Sequence, residues 1–177
     1  DHYPRREYIL NTPLLQTLSI HNIEVREGAS YFPVLFKSLP NLKHLDMSGC
    51  SHREGMDEFF WLPEYLKNSL ISLTLYDVKE LDIKAIKNIV KLKKLKHLDI
   101  SRRPDVDIDL DHYSNPNDIL KLIVDNLPDL KSLDISATNL AGTGVFEYDS
   151  YKRGTKYHTS VNVTDNRESP NDETSNM

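Results

Sequence analysis

Apolar and polar positions along this chain recur in one short phrase, an L-x-x-L-x-(L/I/M) unit that occurs five times: LLQTLSI (Leu14 to Ile20), NLKHLDM (Asn41 to Met47), SLISLTL (Ser69 to Leu75), KLKHLDI (Lys94 to Ile100) and DLKSLDI (Asp129 to Ile135). Within each unit the alternation is that of a strand, so Leu18/Ile20, Leu45/Met47, Leu73/Leu75, Leu98/Ile100 and Leu133/Ile135 point to one side and their neighbours to the other. The intervening segments are spaced as helices over Tyr31 to Ser38, Phe59 to Lys67, Ile83 to Leu92 and Asp118 to Leu127. In the third of these, Ile83, Ile86, Ile89 and Val90 share a face opposite Lys84, Lys87 and Lys91. Pro13, Pro40 and Pro128 are each expected to precede a strand by one or two residues, where an ended helix tolerates them.

The leading leucines Leu15, Leu42, Leu70, Leu95 and Leu130 are 27, 28, 25 and 35 residues apart. A period of roughly 20 to 29 residues with this spacing is that of a leucine-rich repeat. One such unit cannot bury its own apolar face, so the units must stack. The expected fold is therefore α/β: a solenoid of five repeats, parallel strands on the concave side and helices on the convex side. The long last interval reads as an insertion in the polar stretch Asp105 to Asn117. Cys50 falls where this repeat class places Asn or Cys to bond its turn, whereas Ile23, Val78, Arg103 and Thr138 hold the equivalent places.

The repeat domain is expected over residues 1–141. From Gly142 the chain has few aliphatic residues and no recurring unit, too little apolar surface to offset ordering entropy, so 142–177 is expected to be a disordered tail. At the other end the chain begins Asp1-His2-Tyr3 and enters a repeat with no polar capping unit, the expectation for a fragment of something larger.

A net charge of −5 argues against nucleic acid as a partner. A single cysteine excludes an internal disulfide framework, and no apolar run approaches the roughly 18 residues of a membrane span. The expected setting is intracellular, cytoplasmic and/or nuclear, with protein partners, no membrane and no cofactor.

The alternation makes the outward positions of the concave face legible: Thr17, Ser19, His21; His44, Asp46, Ser48; Ser72, Thr74, Tyr76; His97, Asp99, Ser101; Ser132, Asp134, Ser136. With strands about 4.8 Å apart these form a grid for a partner protein, and His44, Asp46, Tyr76, His97, Asp99 and Asp134 are its candidate contact residues. His97, Asp99 and Ser101 have the side chains of a hydrolase triad. Alternate residues on one strand, however, lie about 6.6 Å apart with parallel side chains, beyond the hydrogen bonds a triad needs. No Gly-x-Ser-x-Gly elbow or phosphate-binding glycine loop is present either.

Alternate carboxylates from Asp105 to Asp111 suggest a calcium loop running from Asp107 to Asp118. Its sixth place is His112 where glycine is needed, and its twelfth is Asp where a bidentate Glu is needed, so it reads as an acidic loop with no metal. Phe59, Phe60, Trp61, Leu62, Tyr65 and Leu66 are expected to be convex-layer core, with Trp61 a secondary partner anchor.

The phrases LPNLKHLDMSGC, LKKLKHLDISRRPDVD and LPDLKSLDISATNLAG resemble the leucine-rich-repeat segment of the zyg-eleven and zer-one family, the substrate receptors of cullin-two RING ubiquitin ligases. The resemblance covers roughly Leu14 to Gly142. It implies a non-catalytic interaction module of such a receptor. In that family an amino-terminal box recruits elongin and carboxy-terminal armadillo-like repeats read substrates that begin in glycine; neither part matches residues of this chain. The alternative is a general repeat scaffold in signalling or the cytoskeleton.

Overall fold

The computed structural model describes residues 12–25, 32–52, 61–78, 81, 83–103, 116–136 and 138. The repeat leucines define its sheet. Leu18, Leu45, Leu73, Leu98 and Leu133 stand opposite one another on five parallel strands, β1 (Thr17–Ser19), β3 (His44–Asp46), β5 (Ser72–Thr74), β6 (His97–Asp99) and β7 (Ser132–Asp134). These lie in the order β1-β3-β5-β6-β7. Each strand is only three residues long, but the same backbone exchange continues into the turns. The amides of Ile20, Met47, Leu75 and Ile100 donate to the carbonyls of Asp46, Thr74, Asp99 and Asp134 at 2.7–2.9 Å.

Among the described residues four helices line the convex side: α1 (Phe32–Lys37), α2 (Trp61–Leu66), α3 (Ile83–Ile89) and α4 (Pro116–Asn126), each packed on the next. All four overlap the expected segments. Their apolar faces meet the sheet leucines in one core that includes Phe36, Leu66, Ile89, Ile123 and the buried Leu42, Leu70 and Leu95. On α3 the face division is as read from the sequence: Ile86, Ile89 and Val90 are buried, Ile83 partly so, and the lysines are exposed. Asn88 is buried beside them, which the spacing did not indicate. Its amide donates to the Lys84 carbonyl and its side-chain oxygen accepts from the Lys91 ammonium, so the polar group carries its own partners inward. Trp61 is partly buried and stacks on Tyr65, a packing role.

Polar contacts also tie repeats together. Lys93 reaches forward to the Asn126 carbonyl at the end of α4, and its neighbour Lys94 reaches back to the Asn68 carbonyl beyond α2. Both ammonium groups thus satisfy carbonyls that a helix end leaves open. Arg103 pairs with Asp77 of the preceding repeat at 2.6 Å. A second parallel pair, β2 (Glu24–Val25) with β4 (Ser51–His52), extends the first two repeats beyond their turns.

The turns themselves are left-handed at equivalent places: Asn22, Gly49 and Asp77 have φ of 55°, 68° and 54°. Glycine and asparagine are the residues that adopt this conformation at least cost. Cys50, one residue on, is buried and donates its thiol to the Ile20 carbonyl at 3.3 Å, which is the turn bond its position implied. Thr138, at the equivalent place in the last repeat, instead donates its hydroxyl within its own repeat, to the Ile135 carbonyl three residues back. Residues 142–177 and the acidic stretch 104–115, including the calcium-like spacing, lie outside the described residues, as do Phe59 and Phe60.

Candidate functional site

Strand pairing places the outward side chains in rows across the concave face. His44 and His97 belong to one row, flanked by Thr17, Ser72 and Ser132; Asp46, Asp99 and Asp134 belong to the next, with Ser19 and Thr74. The two histidines are exposed, and so is Tyr76, at 39%. Asp99 and Asp134 are direct neighbours on β6 and β7, whereas Asp46 is separated from Asp99 by Thr74 on β5. A shallow depression lies between these strands, lined by Ser72, Thr74, His97, Asp99, Ser132 and Asp134. The His97 ring shares a 2.7 Å hydrogen bond with the Ser132 hydroxyl across it.

Each of the three aspartates is held by the serine two residues on. One oxygen of Asp46 accepts from the Ser48 amide and hydroxyl, Asp99 from Ser101, and Asp134 from Ser136, with amide distances of 2.9–3.0 Å and hydroxyl distances of 2.5–2.6 Å. The L-D-x-S phrase is therefore a turn device: the carboxylate satisfies the backbone as the strand ends. This corrects the expectation that Asp99 and Ser101 stand apart as alternate strand residues, since the Ser101 hydroxyl lies on the Asp99 carboxylate just beyond the end of β6. Ser101 is also buried rather than outward. The recurrence of D-x-S at one offset in three repeats was the sequence signal for the motif.

These turns orient the aspartates identically but leave them in different fields. Burial alone would push Asp46 up, yet the hydrogen bonds from Ser48 and His21, with the nearby imidazole, hold its carboxyl below the ordinary value. Asp99 shifts the other way. Burial raises it first, the Ser101 bonds offset part of that, and the charges of Asp134 and Asp46 push it further up.

None of these groups is arranged as a hydrolase triad. Ser101 gives its hydroxyl to a carboxylate, with His97 turned to Ser132. Ser19, His21 and Asp46 do meet at the other end of the sheet, but both Ser19 and Asp46 approach the same nitrogen, Nε2, at 2.9 Å. A relay needs the acid and the nucleophile on opposite ring nitrogens. Among the described residues no group of three His, Cys, Asp or Glu side chains is placed to hold a metal ion. Among the described residues, too, no helix is long and apolar enough to cross a membrane.

Five parallel strands, a convex helical layer and a polar concave grid define a leucine-rich-repeat interaction module, the class of domain that mediates protein–protein contacts. The chain belongs to the Zer-1-like leucine-rich-repeat family, whose model matches residues 33–168. It is 38% identical over 102 residues to the protein zer-1 homologs of Homo sapiens and Pongo abelii, a match that covers 58% of this chain and 12% of theirs. Over 108 residues it is 35% identical to zyg eleven-related protein 1 of Caenorhabditis elegans, covering 61% of this chain and 12% of that protein. The chain thus corresponds to a small part of the length of these relatives.

Proposed function

We propose that this chain is a non-catalytic protein-binding segment of a substrate receptor for a cullin-RING E3 ubiquitin ligase, acting in the cytoplasm and/or nucleus. Membership in the Zer-1-like family carries this reading. Its contact surface is the concave face, with His44, Asp46, Tyr76, His97, Asp99 and Asp134 as the residues a partner meets. The electrostatics favour a basic group on that partner, because Asp99 and Asp134 are like charges on neighbouring strands and a cation between them relieves both. The chemistry of ubiquitin transfer lies elsewhere in the assembly, and this segment joins and orients.

Affinity purification tests the reading. The natural polypeptide that carries this segment is expected to bring down elongin and cullin-two. The 177-residue chain alone is expected to capture neither elongin nor a peptide beginning in glycine, because no residues of it match the parts of the family that do so. Absence of ligase subunits from the natural polypeptide's partners would point to a general scaffold instead.

A further inference from the structure

Helices end and strands begin along one rim of the solenoid, and the fold gathers basic residues there. The rim segments 37–43, 67–71, 91–96 and 126–131 hold eight lysines against one acid, Asp129, a local charge of +7 in a chain of net charge −5. That leaves −12 for the rest of the chain. Strands end at the opposite rim, and the ion pairs of His21 with Asp46 and of Arg103 with Asp77 stand at that side.

Strand register lines part of this rim into a row. The Lys131 amide donates to the Lys96 carbonyl at 2.7 Å, Lys96 to Ile71 at 2.8 Å, and Ile71 to Lys43 at 2.8 Å. Lys96 and Lys131 are therefore direct cross-strand neighbours, with backbones about 4.8 Å apart. Like charges so placed are unfavourable. Two more ammonium groups come from the loops beside them, those of Lys93 and Lys94, bonded to the carbonyls of Asn126 and Asn68 at 2.8 and 2.7 Å. These acceptors are neutral, so they fix where each positive charge stands without cancelling it. Lys93, Lys94 and Lys131 are exposed and Lys96 is half-buried.

We propose that this rim is a docking surface for an extended acidic segment of a partner protein, laid across the strands with its carboxylates on Lys93, Lys94, Lys96 and Lys131. Charge complementarity selects an anion, and the surroundings select a narrow one. Asp99 and Asp134 lie three residues beyond Lys96 and Lys131, about 10 Å along the strands, so the basic strip has the width of a single extended chain. A charge acts over about 8 Å at physiological salt. A short segment on the rim therefore feels the lysines, whereas a nucleic-acid duplex or an anionic bilayer, broad enough to span the module, also meets the field of the remaining −12. Ammonium groups held at fixed points by carbonyls suit spaced carboxylates. The inference stands independently of the ubiquitin-ligase reading and uses a surface other than the concave aspartates.

Fluorescence anisotropy provides the test, with a labelled peptide of about ten residues alternating Glu and Ser titrated with the 177-residue chain. Binding is expected, and it should weaken as salt rises from about 0.05 to 0.3 M. Lys96→Glu/Lys131→Glu is expected to lower the affinity by about tenfold, and Lys96→Gln/Lys131→Gln, which removes charge without reversing it, by about threefold. Lys84→Glu/Lys121→Glu changes the net charge as much as the first pair, but on the exposed faces of α3 and α4, and should leave the affinity within about twofold. No binding at about 1 mM, or an equal loss from the Lys84/Lys121 pair, would overturn the proposal. Tighter binding of a short DNA duplex or of phosphatidylserine vesicles than of the peptide would assign the rim to another anion and overturn it as well. A gain of about tenfold in peptide affinity on replacing Asp105, Asp107, Asp109 and Asp111 by Asn would make the chain's own acidic stretch the occupant, with the same consequence.

Discussion

Asp46 and Asp99 occupy the same place in the L-D-x-S turn and accept the same pair of bonds from a serine, yet their acidities are displaced in opposite directions. The difference lies in their neighbours. Asp46 has the His21 imidazole at 2.9 Å, and Asp99 has burial and the Asp134 carboxylate.

Opposite effects follow for isosteric substitutions. Asn in place of Asp keeps the oxygen that accepts from serine and removes the charge. Asp99→Asn is expected to stabilise the fold at pH 7 by about 0.2–1 kcal/mol, the scale of a like-charge cross-strand pair. Asp46→Asn is expected to cost a similar amount, about 0.2–1 kcal/mol, since its partner is solvent-exposed. Urea denaturation of the two variants checks both signs.

Their pH dependences are also opposed. A carboxyl whose folded pKa is raised destabilises the fold while charged, and that penalty fades as pH falls through the raised value. The advantage of Asp99→Asn is therefore expected to shrink between pH 7 and about pH 4. Asp46, displaced downward, contributes stability above the ordinary aspartate value and loses it as pH falls through its lower folded value. The deficit of Asp46→Asn accordingly persists down to the ordinary aspartate range and disappears below it.

Leu98 is 2% exposed and stands in register between Leu73 and Leu133. Leu98→Ala is expected to cost about 2–5 kcal/mol through lost transfer energy and the remaining cavity. His97→Ala, one residue away and outward, should change stability little. Thermal melts of the two variants compare the inner and outer faces of one strand directly.

Gly49 adopts a φ of 68°, and a Cβ there would also overlap the side-chain oxygen of Asn22 in the preceding turn. Gly49→Ala is expected to cost about 1–2 kcal/mol, mainly from the left-handed backbone. Asn22→Ala in the same background would remove the side-chain overlap but add a left-handed cost of its own at φ 55°, which the Asn22→Ala single variant measures. Urea midpoints of the single and double variants separate the two contributions.

The leucine register, the strand order and the helical segments were legible because burial acts on every repeat alike: a residue's place in the unit determines its side. The turns were less so. Alternation carried past the end of β6 placed Ser101 on the open face and apart from Asp99, whereas the serine is buried with its hydroxyl on that carboxylate. The cross-repeat reach of Lys93 and Lys94 was hidden for a related reason: as charges on a polar segment they read as solvated, and their acceptors are carbonyls of other repeats, 33 and 26 residues distant in sequence respectively. The candidate face was readable as a set of positions. Its unequal fields at Asp46 and Asp99 depend on which strands are neighbours and how deeply each carboxyl sits, which no single repeat reveals.

Quantitative affinity capture shows whether the concave face is where this module meets a protein partner. Wild-type chain is compared with Asp99→Lys/Asp134→Lys, and with Asp99→Asn/Asp134→Asn as a control that preserves the serine-bonded turns. Loss of specific partners from the lysine pair, with weaker loss from the asparagine pair and unchanged circular dichroism in both, is the expected result. Full recovery of every specific partner by the lysine pair would place the interaction surface elsewhere and contradict the account.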